Sequence, residues 1–188
     1  VGSEMCIRDS GGGPGMLLRV EPIAEALETR VDYHRQLGRE VRKILLTPQG
    51  SSFDQKKARE WSQCGEVLLM VCGRYEGFDE RVRELVDDEI SGGDYVCLGG
   101  EVIAMLIIES VSRLVPGVLG NPDSSETESF AAGILEYPQY TRPRMYKGME
   151  VPEELLSGNH GRIEAWRKNR ALERTRQRRP DLITRNIE

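Results

Sequence analysis

Three short runs of apolar residues punctuate the middle of the chain: "KILLT" (43–47), "EVLLMVC" (66–72) and "DYVCL" (94–98). Within each run the apolarity is continuous rather than alternating, which is the pattern of strands covered on both faces in a parallel sheet. Between the runs the period lengthens. "PIAEALETRVDYHRQLG" (22–38) repeats apolar positions at Ile23, Leu27 and Val31, with Pro22 near its start and Gly38 placed to stop it. "SFDQKKAREWSQCG" (52–65) opens with Ser52 and Gln55 at capping-box spacing and closes at Gly65. A further helix is expected from Asp79 in "DERVRELVDDEI". "EVIAMLIIESVSRLVPG" (101–117) reads as a helix too apolar to face water on any side. Strands alternating with helices predict an α/β domain with right-handed crossovers.

Each predicted strand runs into a loop marked by Gly or Pro: "TPQGSS" (47–52), "CGRYEG" (72–77) and "LGGE" (98–101). Parallel strands end on one edge of a sheet, and ligands of open α/β folds bind there. Glycines let backbone N–H and C=O groups come close to such a ligand. The three loops therefore outline a small-ligand cleft with Arg74 and Glu76 on its rim. Taken singly they say less. Gly73 and Gly77 also suit ordinary turns, and Arg74 with Glu76 suits a surface ion pair worth little. Neither the G-x-G-x-x-G fingerprint nor the Walker pattern follows any of these strands, so the cleft has no phosphate grip. "GGGPG" (11–15) precedes a helix with no strand before it.

Composition adds the organisation. At 188 residues, 38% hydrophobic and 30% charged, the chain suffices for one sizeable core and a smaller second unit. "VGSEMCIRDS" (1–10) lacks an initiator Met and any periodicity, and reads as a ragged or foreign end outside the fold. The α/β domain is expected over 11–119. A Gly-, Ser-, Pro- and acid-rich flexible linker follows over 120–132, and a helical unit over 133–188. Its basic helix starts near His160 and is stopped by Pro180. No run approaches the roughly 18 to 20 apolar residues of a membrane span, and the first ten residues hold no secretory signal. Cys6, Cys64, Cys72 and Cys97 form no C-x-x-C pair, and His34 and His160 are the only histidines. That argues against a zinc site and for the reduced thiols of a cytosolic protein. Net charge is −5, yet residues 162–179 carry eight Lys/Arg and two Glu, so +6 there leaves −11 elsewhere. Such separation suits a local phosphate-binding patch, with a solvated helix face as the plainer reading.

Longer motifs go further. "GGGPGM", "TPQG", "VCGRYEGFDERV", "GDYVCLGGE", "ESVSRLVPGVLGN", "YPQYTRPRMYKGMEVPEELLSGNH" and "WRKNRALERTRQRRPDL" resemble bacterial tRNA (guanine-N1)-methyltransferase, the TrmD family, in order and at nearly its spacing, over residues 11–182. The resemblance implies a SPOUT-type α/β fold with a C-terminal trefoil knot, a rare exception to unknotted topology. It also implies a cytoplasmic homodimer with active sites across its interface and a helical C-terminal domain that binds tRNA. The reaction it implies moves a methyl group from S-adenosyl-L-methionine to N1 of the guanosine just 3′ of the anticodon, with Mg2+ left open as a second cofactor and no resident metal site.

By position, the resemblance implies a cofactor cradle of Pro48, Gly73, the run Gly92, Gly93, Asp94, Tyr95, Val96 and Cys97, and Gly99 with Gly100. Glu76 and Arg74 line the same pocket. Guanine N1–H is a weak acid, so transfer needs a base and an anion stabiliser. Glu128 stands at the family's catalytic Asp, and Arg113 matches its essential Arg, suited to charge developing on O6. Glu136 replaces a family acid near the cofactor amine, and His160, Arg167 and Arg174 fall among the tRNA-facing positions. Departures accompany the match. Both carboxylates are one methylene longer than the family's, "GGEVIAM" lacks the usual proline, Gly92 replaces a larger apolar residue, and the family's leading strand and helix are missing. That last point predicts exposed apolar edges and poor folding. Two alternatives differ in function: a truncated remnant that binds RNA or cofactor without turnover, and a SPOUT methyltransferase on another RNA.

Overall fold

The computed structural model describes residues 5–7, 15–119 and 128–185. The "GGGPG" loop up to Pro14 and the linker stretch 120–127 lie outside the described residues. The chain divides into two compact units, Val1–Leu119 and Gly120–Glu188. In chain order the first unit holds β1 (Met5–Ile7), β2 (Met16–Leu18), α1 (Val20–Gln36), β3 (Val41–Ser52), α2 (Gln55–Gln63) and β4 (Val67–Cys72). A 3-10 helix (Glu80–Leu85), β5 (Asp88–Ser91) and α3 (Glu101–Ser112) complete it.

β3 is the central strand of a parallel sheet, ordered β4-β3-β5. Its "ILL" alternates faces as strand geometry requires. Ile44 and Leu46 join Ala58 and Trp61 of α2, and Ile103, Ile107 and Val111 of α3, in the main core. Leu45, equally buried, falls outside that cluster, as do Leu27 of α1 and Val82. Away from the loops, Arg42 ties the sheet together, bonding Glu66 at 2.7 Å and Asp88 at 2.9 Å. α1 ends as expected at Gly38, whose φ of +68° and amide bond to the Arg35 carbonyl, with that of Arg39 to His34, form a Schellman cap.

Five expectations change. The cap of α2 is Asp54, which accepts from the Lys57 amide at 2.8 Å, while Ser52 pairs with Ser91 in the sheet. The segment from Asp79 makes only a short 3-10 turn before becoming β5. That strand has a single large apolar residue, Ile90, and takes its place through main-chain pairing to β3. "DYVCL" is consequently a loop, since β5 already fills the position beside β3, and its Val96 and Leu98 are exposed. α3 does face water: only one side packs on the core, leaving Val102, Met105 and Ile108 exposed. Finally, β1 pairs antiparallel with β2 through main-chain bonds, so part of the supposed ragged end has a place in the fold.

The second unit holds the hairpin β6 (Met145–Tyr146) and β7 (Met149–Glu150), α4 (Glu153–Leu156), α5 (His160–Arg178) and α6 (Asp181–Arg185). Asn159 caps α5 by accepting from the Arg162 amide. Pro180 does stop that helix, but α6 follows it.

Candidate functional site: a glycine-lined cleft at the strand ends

A cleft of about 530 Å³ opens in the first unit where the parallel strands end. Three loops build it, each shaped by a specific backbone constraint. In the first, Leu46 and Ser51 of β3 both pair with Ile90, so residues 47–50 bulge out of the sheet. Thr47, Pro48 and Gln49 thereby reach the cleft. A bulge is where a strand tolerates proline, because no ladder N–H is needed. Gly50 is needed for the crossing: a Cβ there would lie 2.4 Å from the Glu89 carbonyl carbon and the Ile90 nitrogen.

The second loop, 73–79, turns sharply, with Gly77 donating to the Arg74 carbonyl at 3.2 Å and Tyr75 at φ 59°, uncommon for a side-chain-bearing residue. β2 braces it: Leu18 donates to Gly77, Glu76 to Met16 and Asp79 to Leu18, at 2.9, 3.2 and 3.0 Å. Gly73, Arg74 and Glu76 line the cleft, with the Phe78 ring packed so closely that a Cβ on Gly73 would sit 2.6 Å from it. The third loop, 92–100, meets the second where the Gly100 amide donates to the Gly73 carbonyl at 2.9 Å. Gly92, Tyr95, Val96, Cys97, Gly99 and Gly100 line the cleft. Gly93 and Asp94 stand in the same loop without lining it. Gly93 instead exchanges hydrogen bonds with the Ser91 hydroxyl at 3.0 and 3.1 Å.

Charges around the cleft are paired. Arg74 donates to Glu101 at 2.7 Å. Arg83 bonds Glu80 at 2.8 Å and also meets Glu89 and Gln49. The Glu101 carboxyl is held below its ordinary range, first by its own backbone amide and then by Arg74. Asp79 drops from 3.8 to about 2, chiefly through its bonds with the Arg81 guanidinium. Burial, and then Glu101, push the Cys72 thiol up. Both guanidiniums lining the cleft are thus committed to carboxylates, and the walls present glycine backbone, apolar groups and acids. That donor set fits a cationic, phosphate-free ligand with hydroxyls, the character of S-adenosyl-L-methionine. Phe78, Asp79, Glu80 and Arg83 were not assigned to the cleft from the sequence, because their segment read as the start of a helix.

The remaining predicted residues lie elsewhere. Arg113 closes α3, at the opposite end of that helix from Gly100 and about 20 Å away at 1.5 Å per residue. Within one chain it does not line the cleft. Glu128, Glu136, His160, Arg167 and Arg174 belong to the second unit. There Thr175 accepts from the Leu135 amide at 3.0 Å, and Arg174 donates to the Glu136 carbonyl at 3.3 Å, tying the segment that carries both carboxylates onto α5. Glu136 also accepts from Gln139 at 3.3 Å. Arg167 lies 4.8 Å over the Tyr137 ring, and His160 is the exposed first residue of α5. Among the described residues, no group of three or more His, Cys, Asp or Glu is placed to hold a metal, and no helix is long and apolar enough to cross a membrane.

Fold and cleft together define an α/β protein that takes a small ligand at the carboxyl edge of a parallel sheet. The family model described as tRNA (Guanine-1)-methyltransferase TrmD matches residues 7–185, and the chain belongs to that family. It is 58% identical over 173 residues to the tRNA (guanine-N(1)-)-methyltransferase of Desulforudis audaxviator, covering 92% of this chain and 68% of that protein. Enzymes of the same name from Syntrophotalea carbinolica and Listeria innocua are 55% and 53% identical over 175 and 174 residues. Those matches cover 93% and 92% of this chain, and 69% and 70% of the relatives.

Proposed function

We propose that the chain methylates N1 of the guanosine immediately 3′ of the anticodon in tRNA, with S-adenosyl-L-methionine as donor. The observation that carries this reading is the cleft itself: three Gly-bearing loops, no uncommitted cation on the lining among the described residues, and family motifs on each loop. S-adenosyl-L-methionine supplies an electrophilic methyl group there. The backbone of Gly73, Gly99 and Gly100 and the side chains of Pro48, Glu76 and Tyr95 position it. Glu128 takes the N1 proton of guanine, and Arg113 faces the negative charge that spreads onto O6.

Arg113 serves a cleft only if a second copy of the chain brings it there, since α3 separates it from its own. The exposed apolar side of α3, with Val102, Met105 and Ile108, supports that homodimeric arrangement. The SPOUT trefoil knot belongs to the same reading. The tight crossing of the second and third loops, where a Cβ on Gly100 would lie 3.0 Å from the Cys72 Cα, supports it. Arg167 and His160 face tRNA from the helical unit, in the cytosol where tRNA is matured.

One experiment tests the chemistry. The cofactor is titrated by calorimetry into the protein and into Glu128→Gln, and methyl transfer to tRNA is followed by mass spectrometry of the nucleosides. Both proteins are expected to bind, while turnover of the variant falls at least ~10²-fold, the usual scale for losing a general base. N1-methylguanosine formed at an unchanged rate would remove Glu128 from the role. Cofactor binding without any product from the parent chain would favour the remnant reading.

A further inference from the structure

The second unit contains a shallow depression of about 300 Å³ that the proposed chemistry does not use. One wall is a face of α5 on which Arg170, Arg174 and Arg178 recur every fourth residue. Trp166, one turn before Arg170, belongs to the same face, and Tyr140 from outside the helix lies beside it, the ring centroids 6.4 Å apart and inclined at 54°. Tyr140 is 47% exposed, whereas Trp166 is 8% exposed and its indole N–H is buried with no acceptor among the described residues. The Arg170 guanidinium sits 5.8 Å over the Trp166 ring and donates to Glu173 at 2.6 Å. A carboxylate is thereby held at a fixed place inside an otherwise basic wall, beside an aromatic face open to solvent.

We propose that this depression binds a single unstacked guanine of the RNA, separate from the guanine that is methylated. The inference rests on the RNA reading above and adds a second base-specific contact to it. A solvent-open Tyr face and a guanidinium plane are surfaces on which single-stranded bases stack. The volume stands at the lower bound of small-ligand pockets, about 300 Å³, which suits one base. Glu173 sets the identity. Guanine presents two adjacent donors, N1–H and the N2 amino group, to a carboxylate, whereas adenine presents the N1 lone pair and is repelled. Arg178, exposed on the rim, is placed for the attached phosphate.

The test compares Tyr140→Ala, Tyr140→Phe and Glu173→Gln with the parent protein in tRNA binding at fixed salt and in steady-state methyl transfer. Tyr140→Ala and Glu173→Gln are expected to weaken tRNA binding and raise its KM about tenfold, with kcat unchanged, while Tyr140→Phe behaves as the parent. The Glu173 variant separates the idea from simple charge attraction, since removing a negative group from a basic wall strengthens phosphate binding. Guanosine 5′-monophosphate should shift the Trp166 indole N–H resonance, and adenosine 5′-monophosphate should not. Parent-like or tighter tRNA binding by Glu173→Gln, or equal shifts with both nucleotides, overturns the guanine pocket while leaving the RNA reading intact. A parent protein that fails to bind tRNA at low salt overturns both.

Discussion

Thr175 is a polar residue with no exposed surface, and its hydroxyl works in both directions. It donates to the Ala171 carbonyl at 2.7 Å and accepts from the Leu135 amide at 3.0 Å. Thr175→Val keeps the shape but leaves the Leu135 N–H without an acceptor, a loss of about 1–3 kcal/mol. Hydrogen–deuterium exchange should then accelerate across 128–136 and stay unchanged across Val41–Ser52, with Thr175→Ser restoring protection. Asp79 gives a prediction in pH. Its folded pKa of about 2 lies below the ordinary 3.8, so its contribution is present above pH 4 and is lost as the pH falls through 2. Stability measured from pH 5 down to 2 should therefore decline less steeply in Asp79→Asn than in the parent. A parallel decline would remove Asp79 from the acid response. In residue identities the site was only partly legible: the glycines and Pro48 were visible as strand punctuation. Asp79 and Arg83 were not, because their placement depends on β2 bracing the second loop through main-chain bonds that leave no mark in side-chain pattern.

Among elements, β3 and β4 were readable because continuous apolar runs survive wherever a strand is covered on both faces. β5 was not, since Asp88, Glu89 and Ser91 surround its one large apolar residue and its stability comes from pairing with β3. The apolar loop 94–98 attracted the strand assignment that β5 should have had. α3 shows the complementary lesson: its sequence marks every side as apolar, and cannot tell a side buried in its own core from one awaiting another surface. On the dimeric reading, Ile108→Glu should leave the fold intact, since Ile108 is 54% exposed, yet abolish self-association. Sedimentation equilibrium with a monomer mass, alongside unchanged circular dichroism, is the expected outcome. A parent-like dimer would place the interface elsewhere.

At the level of the whole molecule, formal charge is divided as it was read from the sequence, with +6 on residues 162–179 inside a chain of net −5. α5 carries most of that charge into the second unit, where Arg162, Arg167, Lys168, Arg176 and Arg178 are exposed. If about four to six phosphates are neutralised there, tRNA affinity should fall with salt at a log–log slope of about −3 to −5. A flat response would deny that face an electrostatic role. The cleft of the first unit, on the reading that it takes the methyl donor, shows a different consequence. Val96 and Leu98 are 85% and 94% exposed on the loop that borders it, holding hydrocarbon against water. Any event that covers them must lower the heat capacity of the system. Calorimetric enthalpies of cofactor binding should grow more exothermic with each step of warming, and an enthalpy indifferent to temperature would mean that the two side chains stay wet when the cofactor binds.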